Sequence, residues 1–166
     1  MQIGLIDVDS HNFPNLALMK ISAYHKARGD DVEWCIPLMP YDIVYASKVF
    51  GDEYSTMDMT CIRADKVIYG GTGFAIQVID GKEVYVKTND SVLPYEVEHI
   101  CPDYSLYPSY TNNTAYGFLT RGCPNNCGFC PVSKKEGLQS FKVADLNEWW
   151  NGQKNIVLMD ANIHNV

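Results

Sequence analysis

The sequence is short of positive charge and has no long hydrophobic run. Its 13 Lys and Arg residues against 20 Asp and Glu residues give a formal net charge of −7 at pH 7. This acidic balance argues against a broad electrostatic contact with nucleic acid or with an anionic membrane. No apolar stretch approaches the roughly 20 residues of a transmembrane helix, and Met1 leads into a short strand pattern rather than a signal peptide. We therefore expect a cytoplasmic protein without a membrane partner.

Disulfides are a second expected absence, because thiols stay reduced in the cytoplasm. Hydrophobic residues make up 46% of the 166-residue chain, which is enough for a packed core. Three of the six cysteines are scattered along the sequence, and we predict that they are small buried core residues: Cys35, Cys61 and Cys101. The other three lie close together and need a separate explanation.

The first part of the chain alternates between strand and helix patterns. Apolar runs predict strands over 2–8, 31–37, 41–50 and 65–74. Helical spacing predicts helices over 16–29 and 53–64. Residues 78–86 predict a hairpin around Asp80-Gly81, and Gly70-Gly71 predicts a tight turn at a sheet edge. Strands joined in this order by short connections predict an α/β fold with a Rossmann-like parallel sheet.

The composition then changes. Residues 88–114 are rich in Pro, Tyr, Asn, Asp and Ser without a clear period, which predicts a linker. We place a domain boundary inside it, between an α/β domain over 1–108 and a second unit over 109–166. The second unit has two strand patterns and one helical pattern, over 114–123, 155–162 and 142–150. Asp145 is the predicted N-cap of that helix.

Three cysteines share the polar, turn-rich sequence CPNNCGFC, in which Cys123, Cys127 and Cys130 have the spacing C-x3-C-x2-C. The residues alone leave four uses open. A zinc site needs a fourth ligand, for which the candidates are His99 and His164. A disulfide framework does not suit an odd number of cysteines, and a buried core triple does not suit so polar a loop. The fourth use is an iron–sulfur cluster held by three thiolates, with one iron open to an exogenous group.

The stretch GFLTRGCPNNCGFCPV resembles the cluster loop of the radical S-adenosylmethionine (radical SAM) enzymes, whose signature is C-x3-C-x-aromatic-C. Phe129 occupies the aromatic slot, and GFLT (117–120) matches the first strand of that family's partial (β/α) barrel. The resemblance implies that Cys123, Cys127 and Cys130 ligate a four-iron, four-sulfur (4Fe–4S) cluster. It implies that S-adenosylmethionine binds the open iron, with Phe129 or its backbone against the adenine. Reductive cleavage would then start radical chemistry on a substrate that the sequence does not name.

Three further residues are candidates through the same resemblance. The family carries a Gly-Gly-Glu-like stretch after its second barrel strand, which contacts the amine of S-adenosylmethionine. Here that place has LMDAN, so Asp160 and Asn162 either accept the hydrogen bonds of the amine or simply end a strand. Arg121 either screens the negative charge of the cluster or is a solvated loop residue.

The N-terminal domain resembles, less closely, the cobalamin-binding domain that often precedes such a barrel. The signature Asp-x-His-x-x-Gly, Ser-x-Leu, Gly-Gly has counterparts here in Asp9-Ser10-His11, Ser47-Lys48-Val49 and Gly70-Gly71. His11 is the candidate lower cobalt ligand. However, Pro14 replaces the loop glycine and stiffens the backbone where a corrin would approach, and Val49 replaces the leucine. These departures argue against cobalamin and predict a degenerate domain that kept only the fold.

A radical SAM core needs about six βα units, on the order of 200 residues, and room for about one helix and one strand follows Cys130. We therefore expect a truncated chain, half of a split enzyme that needs a partner chain to complete the barrel, or a small cluster- or zinc-binding module without radical chemistry. Radical chemistry would require the missing part of the barrel to be supplied. The last strand would leave an unpaired edge that favours pairing with another chain.

Overall fold

The computed structural model describes residues 1–10 and 12–163, which form a mixed α/β structure. Its first sheet has four parallel strands in the order β2-β1-β3-β4. They are β1 (Gln2–Asp7), β2 (Asp31–Trp34), β3 (Pro40–Ser47) and β4 (Arg63–Gly70). Helix α1 (Leu16–Ala27) connects β1 to β2. The predicted parallel α/β layer is confirmed at this level.

Helix α1 begins and ends where the sequence signals predict. The side chain of Asn15 accepts a hydrogen bond from the Leu18 backbone N–H at 3.2 Å, which caps the first turn. Gly29 follows the last turn with φ of 79°, a conformation that favours glycine. Leu18 is fully buried against Ile3 and Leu5 of β1, so the helix forms the core together with the sheet.

The helix predicted over residues 53–64 is wrong, since this segment forms turns and irregular backbone before β4. Asp58 accepts a hydrogen bond from the Thr60 N–H at 2.9 Å, which fixes a turn. The hydroxyl of Ser55 donates to the buried carboxylate of Asp9 at 2.7 Å. Such side-chain hydrogen bonds hold the backbone in non-helical conformations and so compete with helix formation.

The hairpin and the tight turn are both confirmed. The segment runs through a short helix α2 (Thr72–Ala75) into antiparallel strands β5 (Ile76–Ile79) and β6 (Lys82–Tyr85). Asp80 and Gly81 form the two-residue turn, with φ of 51° and 71°. Gly71 has φ of 95°, and a Cβ there would lie 2.3 Å from the Lys48 carbonyl oxygen. Only glycine fits that turn.

The segment predicted as a linker is folded against α1. It contains helices α3 (Tyr95–Glu98) and α4 (Pro108–Thr111), and 3-10 turns at Lys87–Asn89 and Tyr104–Leu106. Val97 belongs to the buried core. The Lys20 ammonium donates to the Glu98 carboxylate at 2.9 Å and to the Glu98 carbonyl at 2.6 Å. The domain boundary between residues 108 and 109 stays a prediction.

A second parallel pair follows, formed by β7 (Thr114–Gly117) and β10 (Asn155–Leu158). Between these two strands lie β8 (Thr120–Arg121), α5 (Val132–Glu136), β9 (Phe141–Lys142) and α6 (Leu146–Trp149). Asp145 caps α6 as predicted, in a reciprocal capping box with Glu148. Trp149 is buried against β7, where a Cβ on Gly117 would lie 2.3 Å from the indole. Gly117 therefore makes room for Trp149.

The burial predicted for the scattered cysteines is wrong. Cys61 and Cys101 are exposed and Cys35 is only half-buried. Cys61 lies in the turn before β4, where its carbonyl oxygen accepts a hydrogen bond from the Leu38 N–H at 2.8 Å. Cys101 follows α3 and Cys35 follows the edge strand β2, so each lies at an element end rather than inside a strand or helix.

The helices of residues 1–10 and 12–163 are all too short or too polar to cross a bilayer.

Asp103 joins the folded segment to α1 through hydrogen bonds. Its carboxylate accepts hydrogen bonds from Ser22 at 2.7 Å, Lys26 at 2.6 Å and the Ser105 hydroxyl at 2.5 Å. Burial alone would raise the pKa of Asp103, but these hydrogen bonds outweigh burial and hold the pKa below its ordinary value of 3.8. The folded state therefore favours the charged carboxylate.

The lowered pKa of Asp103 predicts that its contribution to the free energy of unfolding is lost in acid. Because the folded pKa lies below the unfolded one, the contribution is complete above about pH 5 and is lost as the pH falls through the folded pKa. Asp103→Asn should lower the free energy of unfolding near neutral pH by about 1–3 kcal/mol, and the gap to wild type should narrow in acid. Urea unfolding over a pH series measures the gap, with Asp80→Asn at the exposed hairpin as control. A gap that does not depend on pH would contradict this account.

Candidate functional site

The cysteine loop, residues 123–137, is closed at its base. Strands β8 and β9 pair in antiparallel fashion just outside it. The Cys123 N–H donates to the Gly137 carbonyl at 3.1 Å, so the two ends of the loop are adjacent. Such closure makes a compact loop that is held by its two ends, with α5 in its second half.

Gly122 forms the entrance to the loop. Its N–H donates to the Glu136 carboxylate at 3.0 Å, and its carbonyl accepts a hydrogen bond from the Ser140 hydroxyl at 3.3 Å. Its φ is 88°, and a Cβ at this position would lie 2.1 Å from the Gln139 carbonyl oxygen. The close approach of the two loop ends therefore requires glycine.

The three loop cysteines are free thiols that the structure does not bring to a common point. Cys127 is exposed, and Cys123 and Cys130 are half-buried. The Cys130 N–H donates to the Cys127 carbonyl at 3.1 Å, which forms a turn between them. Over residues 1–10 and 12–163, no group of three or more His, Cys, Asp or Glu side chains is arranged to hold a metal ion. The chemistry of the thiols fits an iron–sulfur cluster, but ligation would require the loop to rearrange.

Phe129 lies at the outer surface of the cysteine loop, with 93% of its area exposed. An aromatic side chain this exposed buries almost none of its apolar surface, which a bound planar group would cover. The contact between Phe129 and adenine stays a prediction.

Asp160 joins the ends of the two strands of the second sheet. Its carboxylate accepts hydrogen bonds from the Leu119 N–H at 3.2 Å, from the Thr120 N–H, and from the Thr120 hydroxyl at 2.5 Å. Asp160 therefore has a structural role at the end of β10, one of the two alternatives that the sequence left open. Asn162 is half-buried nearby, and its carbonyl accepts a hydrogen bond from Ser140 at 3.1 Å. Their roles towards the amine of S-adenosylmethionine stay predictions.

Arg121 is held by two carboxylates and an aromatic ring, so it is not a solvated loop residue. Its guanidinium lies 2.8 Å from Glu136 and 3.6 Å from Glu98. It also stacks over Phe118, 4.0 Å from the ring centroid. Arg121 thus links the base of the cysteine loop to α3 of the folded segment.

The end of the cysteine loop also contacts the first sheet. Lys135 of α5 donates to the Thr72 hydroxyl at 2.7 Å and lies 3.7 Å from the Asp90 carboxylate. Thr72 follows the glycine turn at the carboxyl end of β4. The cysteine loop therefore lies against the edge of the parallel sheet at which α/β proteins bind ligands.

Two adjoining cavities lie around these contacts, of about 1050 and 440 Å³. They share part of their walls, including Gly71, Arg121 and Lys135. The smaller cavity lies between the carboxyl ends of the two parallel sheets, with Ser47 on one side and Met159 on the other. None of the three loop cysteines lines either cavity.

The residues that match the cobalamin signature are held by hydrogen bonds to neighbouring residues where the structure describes them. The Ser47 hydroxyl accepts a hydrogen bond from the Asn15 amide at 2.8 Å, and Asp9 accepts one from the Val49 N–H at 2.8 Å. His11, the candidate cobalt ligand, lies outside the described residues. The contacts of Ser47 and Asp9 hold the sheet edge together, which is a structural role.

His99, one of the two histidines considered for zinc, is paired outside the cysteine loop. His99 Nδ1 lies 2.7 Å from the Glu148 carboxylate. Hydrogen bonds from the Asp145 N–H and from His99 lower the pKa of Glu148, which keeps it charged. His164 lies outside the described residues.

Comparison of the chain with protein-family models, with curated proteins and with solved structures found no match in any of the three.

Sequence reasoning missed the carboxylates that position the loop. Glu136 closes the loop and Glu98 joins Lys20 to Arg121, yet both lie in stretches without a recognisable motif. The one local signal was that Glu136 directly precedes Gly137, which ends α5 with φ of 100°. A helix that stops so soon after a cysteine motif indicates a return of the chain to the start of the loop.

Gly122 and Gly128 provide a matched test of loop closure. Gly122→Ala should destabilise the fold by at least about 2 kcal/mol, because alanine is strained at this φ and its Cβ would clash with the backbone. Gly128→Ala should change stability by less than about 0.5 kcal/mol, since a Cβ at Gly128 would meet no atom within 4 Å and its φ is ordinary. Urea unfolding and limited proteolysis within residues 123–137 measure both effects. Equal effects of the two substitutions would show that the loop is not closed at Gly122.

Proposed function

We propose that this chain is a radical SAM iron–sulfur protein that binds a 4Fe–4S cluster through Cys123, Cys127 and Cys130. The observation that carries the proposal is the C-x3-C-x-Phe-C sequence within a closed loop that follows a parallel strand. When bound, such a cluster supplies the electron that cleaves the sulfonium of S-adenosylmethionine. The protein would provide the ligands, orient the cofactor and exclude water. Its substrate is unknown.

The arrangement of the second sheet supports the proposal. The cysteine loop follows the carboxyl end of β7, and β10 lies parallel to β7 with its carboxyl end at the same edge. Barrel enzymes place their reactive groups at that edge, because loops after parallel strands converge there. In this proposal Asp160 and Asn162 lie beside the amine of S-adenosylmethionine, while Phe129 folds onto its adenine.

The first sheet supports a Rossmann-like domain ahead of a partial (β/α) barrel. The strand order β2-β1-β3-β4 is the beginning of a doubly wound order in which ligands bind between β1 and β3. Ser47 ends β3 at that point and lines the smaller cavity, so the two halves share one cleft. We propose a degenerate cobalamin-type domain without cobalamin, in a cytoplasmic protein.

Further strands, from a longer chain or from a partner chain, would complete the second sheet. Among the described residues only β7 and β10 form that sheet. Ile156 and Leu158 of β10 are 43% and 42% exposed, which is unusual for alternate apolar residues of a barrel strand. Their side chains lie on one face of the strand, which the helices of a completed barrel would cover.

Anaerobic reconstitution with iron and sulfide tests the proposal directly. Electron paramagnetic resonance of the reduced full chain should show a four-iron signal that shifts when S-adenosylmethionine is added. Cys127→Ser should abolish the signal, because a serine oxygen is a poor substitute for a thiolate at iron. Cys61→Ser is the matched control, since Cys61 is also an exposed free thiol but lies outside the loop.

The alternative outcomes are distinct. Stoichiometric zinc, or no metal at all, would overturn the radical SAM proposal and leave a zinc-binding module or a protein that does not use the loop for metal. A cluster whose signal ignores S-adenosylmethionine would leave a non-catalytic cluster carrier. Loss of the signal in Cys61→Ser as well would show that the ligands were assigned wrongly.

A further inference from the structure

The smaller cavity, of about 440 Å³, lies where strand ends of the first sheet face the second sheet. Three hydroxyl side chains from three of these strand ends line it: Ser10 follows β1, Ser47 ends β3 and Thr72 follows β4. Parallel α/β sheets bind ligands outside the carboxyl ends of their strands. A cavity of this volume can hold a small molecule.

Each of the three hydroxyls accepts a hydrogen bond and keeps its own proton to donate. The Asn15 amide donates to the Ser10 hydroxyl at 3.1 Å and to the Ser47 hydroxyl at 2.8 Å. The Thr72 hydroxyl accepts from the Lys135 ammonium at 2.7 Å. Within the described part of the chain, none of the three hydroxyls donates to an acceptor. Ser10 and Thr72 are half-buried, so a ligand in the cavity can reach them.

Two basic side chains add unused donors to the same walls. The Lys135 side chain is 25% exposed, and its ammonium has three N–H groups, of which one is on the Thr72 hydroxyl. The Arg121 side chain is 27% exposed. Its guanidinium has five N–H groups, of which the Glu136 carboxylate accepts one at 2.8 Å. Both residues line the cavity and can therefore donate to a ligand there.

The charge of the walls favours an anion over a cation. Three basic side chains, those of Lys135, Arg121 and Lys20, line the smaller cavity with the acidic side chains of Glu98 and Glu136. Both carboxylates already accept hydrogen bonds from these basic groups. A ligand thus meets unused hydroxyl and N–H donors, which are the groups that bind an oxyanion.

We propose that the smaller cavity binds a phosphate monoester of a small apolar or aromatic alcohol. The phosphate would accept hydrogen bonds from Ser10, Ser47 and Thr72, and from the unused N–H groups of Lys135 and Arg121. A phosphate suits this set better than a carboxylate, because its three terminal oxygens can accept from donors on three separate strand ends. Apolar walls remain for the body of the ligand: Phe13, Val49, Phe118 and Met159.

This site uses none of the loop thiols, so it goes beyond the radical SAM proposal and its test does not require a cluster. Three probes with an aromatic body and different head groups are compared: phenyl phosphate, benzoate and benzylamine. Each is titrated into the full nitrogen-labelled chain at constant ionic strength, in a buffer without phosphate. Proton–nitrogen correlation spectra follow the binding.

Phenyl phosphate should bind at least about tenfold more tightly than benzylamine and at least about threefold more tightly than benzoate, as expected for several charged hydrogen bonds. The shifted resonances should include those of Leu16, Thr72 and Val132, which line only the smaller cavity. Smaller preferences, no binding of phenyl phosphate, or shifts confined to Ile68 and Val97 of the larger cavity would overturn the proposal.

Lys135 and Lys134 provide a matched pair, since both lie on α5 and only Lys135 lines the cavity. Lys135→Gln removes a charged donor and should weaken phenyl phosphate binding at least about fivefold. Lys134→Gln makes the same change of charge at an exposed position and should have less than about a twofold effect. Ser10→Ala should weaken binding at least about threefold, and Ser91→Ala, at an exposed serine outside the smaller cavity, is its control.

The two pairs of variants decide the assignment of the donors. Equal effects of Lys135→Gln and Lys134→Gln would show that general charge near α5 attracts the anion, and the proposal would fail. Unchanged binding in Ser10→Ala would show that the phosphate does not lie at the strand ends, which also contradicts it. If one of these variants does not fold, as judged by the dispersion of its spectrum, the other pair gives the answer.

Discussion

The Glu98 carboxylate between Lys20 and Arg121 is the interaction on which the arrangement of the two sheets depends. Lys20 lies on α1 with a side chain only 9% exposed, and its ammonium donates to both the carboxylate and the carbonyl of Glu98. A buried ammonium must be paired, because an unpaired charge in the interior is strongly destabilising. Since Glu98 also lies 3.6 Å from Arg121, the same carboxylate connects the first sheet to the start of the cysteine loop.

That connection explains why the segment between the sheets is folded rather than extended. Val97 enters the core of the first sheet, and Asp103 is hydrogen-bonded to α1. On the other side, the Tyr104 hydroxyl donates to the Trp149 carbonyl at 2.5 Å, and His99 pairs with Glu148. The segment therefore contacts both halves, and the carboxyl ends of their strands face one cleft.

The cysteine loop combines a firmly held base with an open tip. Its base is fixed by Gly122, Glu136 and the β8–β9 pair. Its tip carries Cys127 and Phe129, both exposed. Metal binding couples to folding when ligands come together only around the metal. In the function proposed here, the base would orient the loop and ligation would order the tip.

Local signals in the sequence were sufficient for the parallel strands, α1 with its caps, the Asp80-Gly81 hairpin and the α6 cap, because turns and caps depend on neighbouring residues. The same signals were insufficient at 53–64, where Ser55 bonds to distant Asp9 instead of a helix forming. They also misassigned Cys61 and Cys101, since burial depends on the whole fold.

The cysteine motif itself is entirely a property of the sequence. Only the tertiary structure decided that Glu136 and Glu98 hold its base, that Asp160 joins β7 to β10, and that Asp90 lines a cavity. Those contacts join residues 14 to 78 positions apart, and no local pattern records which distant charges packing will bring together.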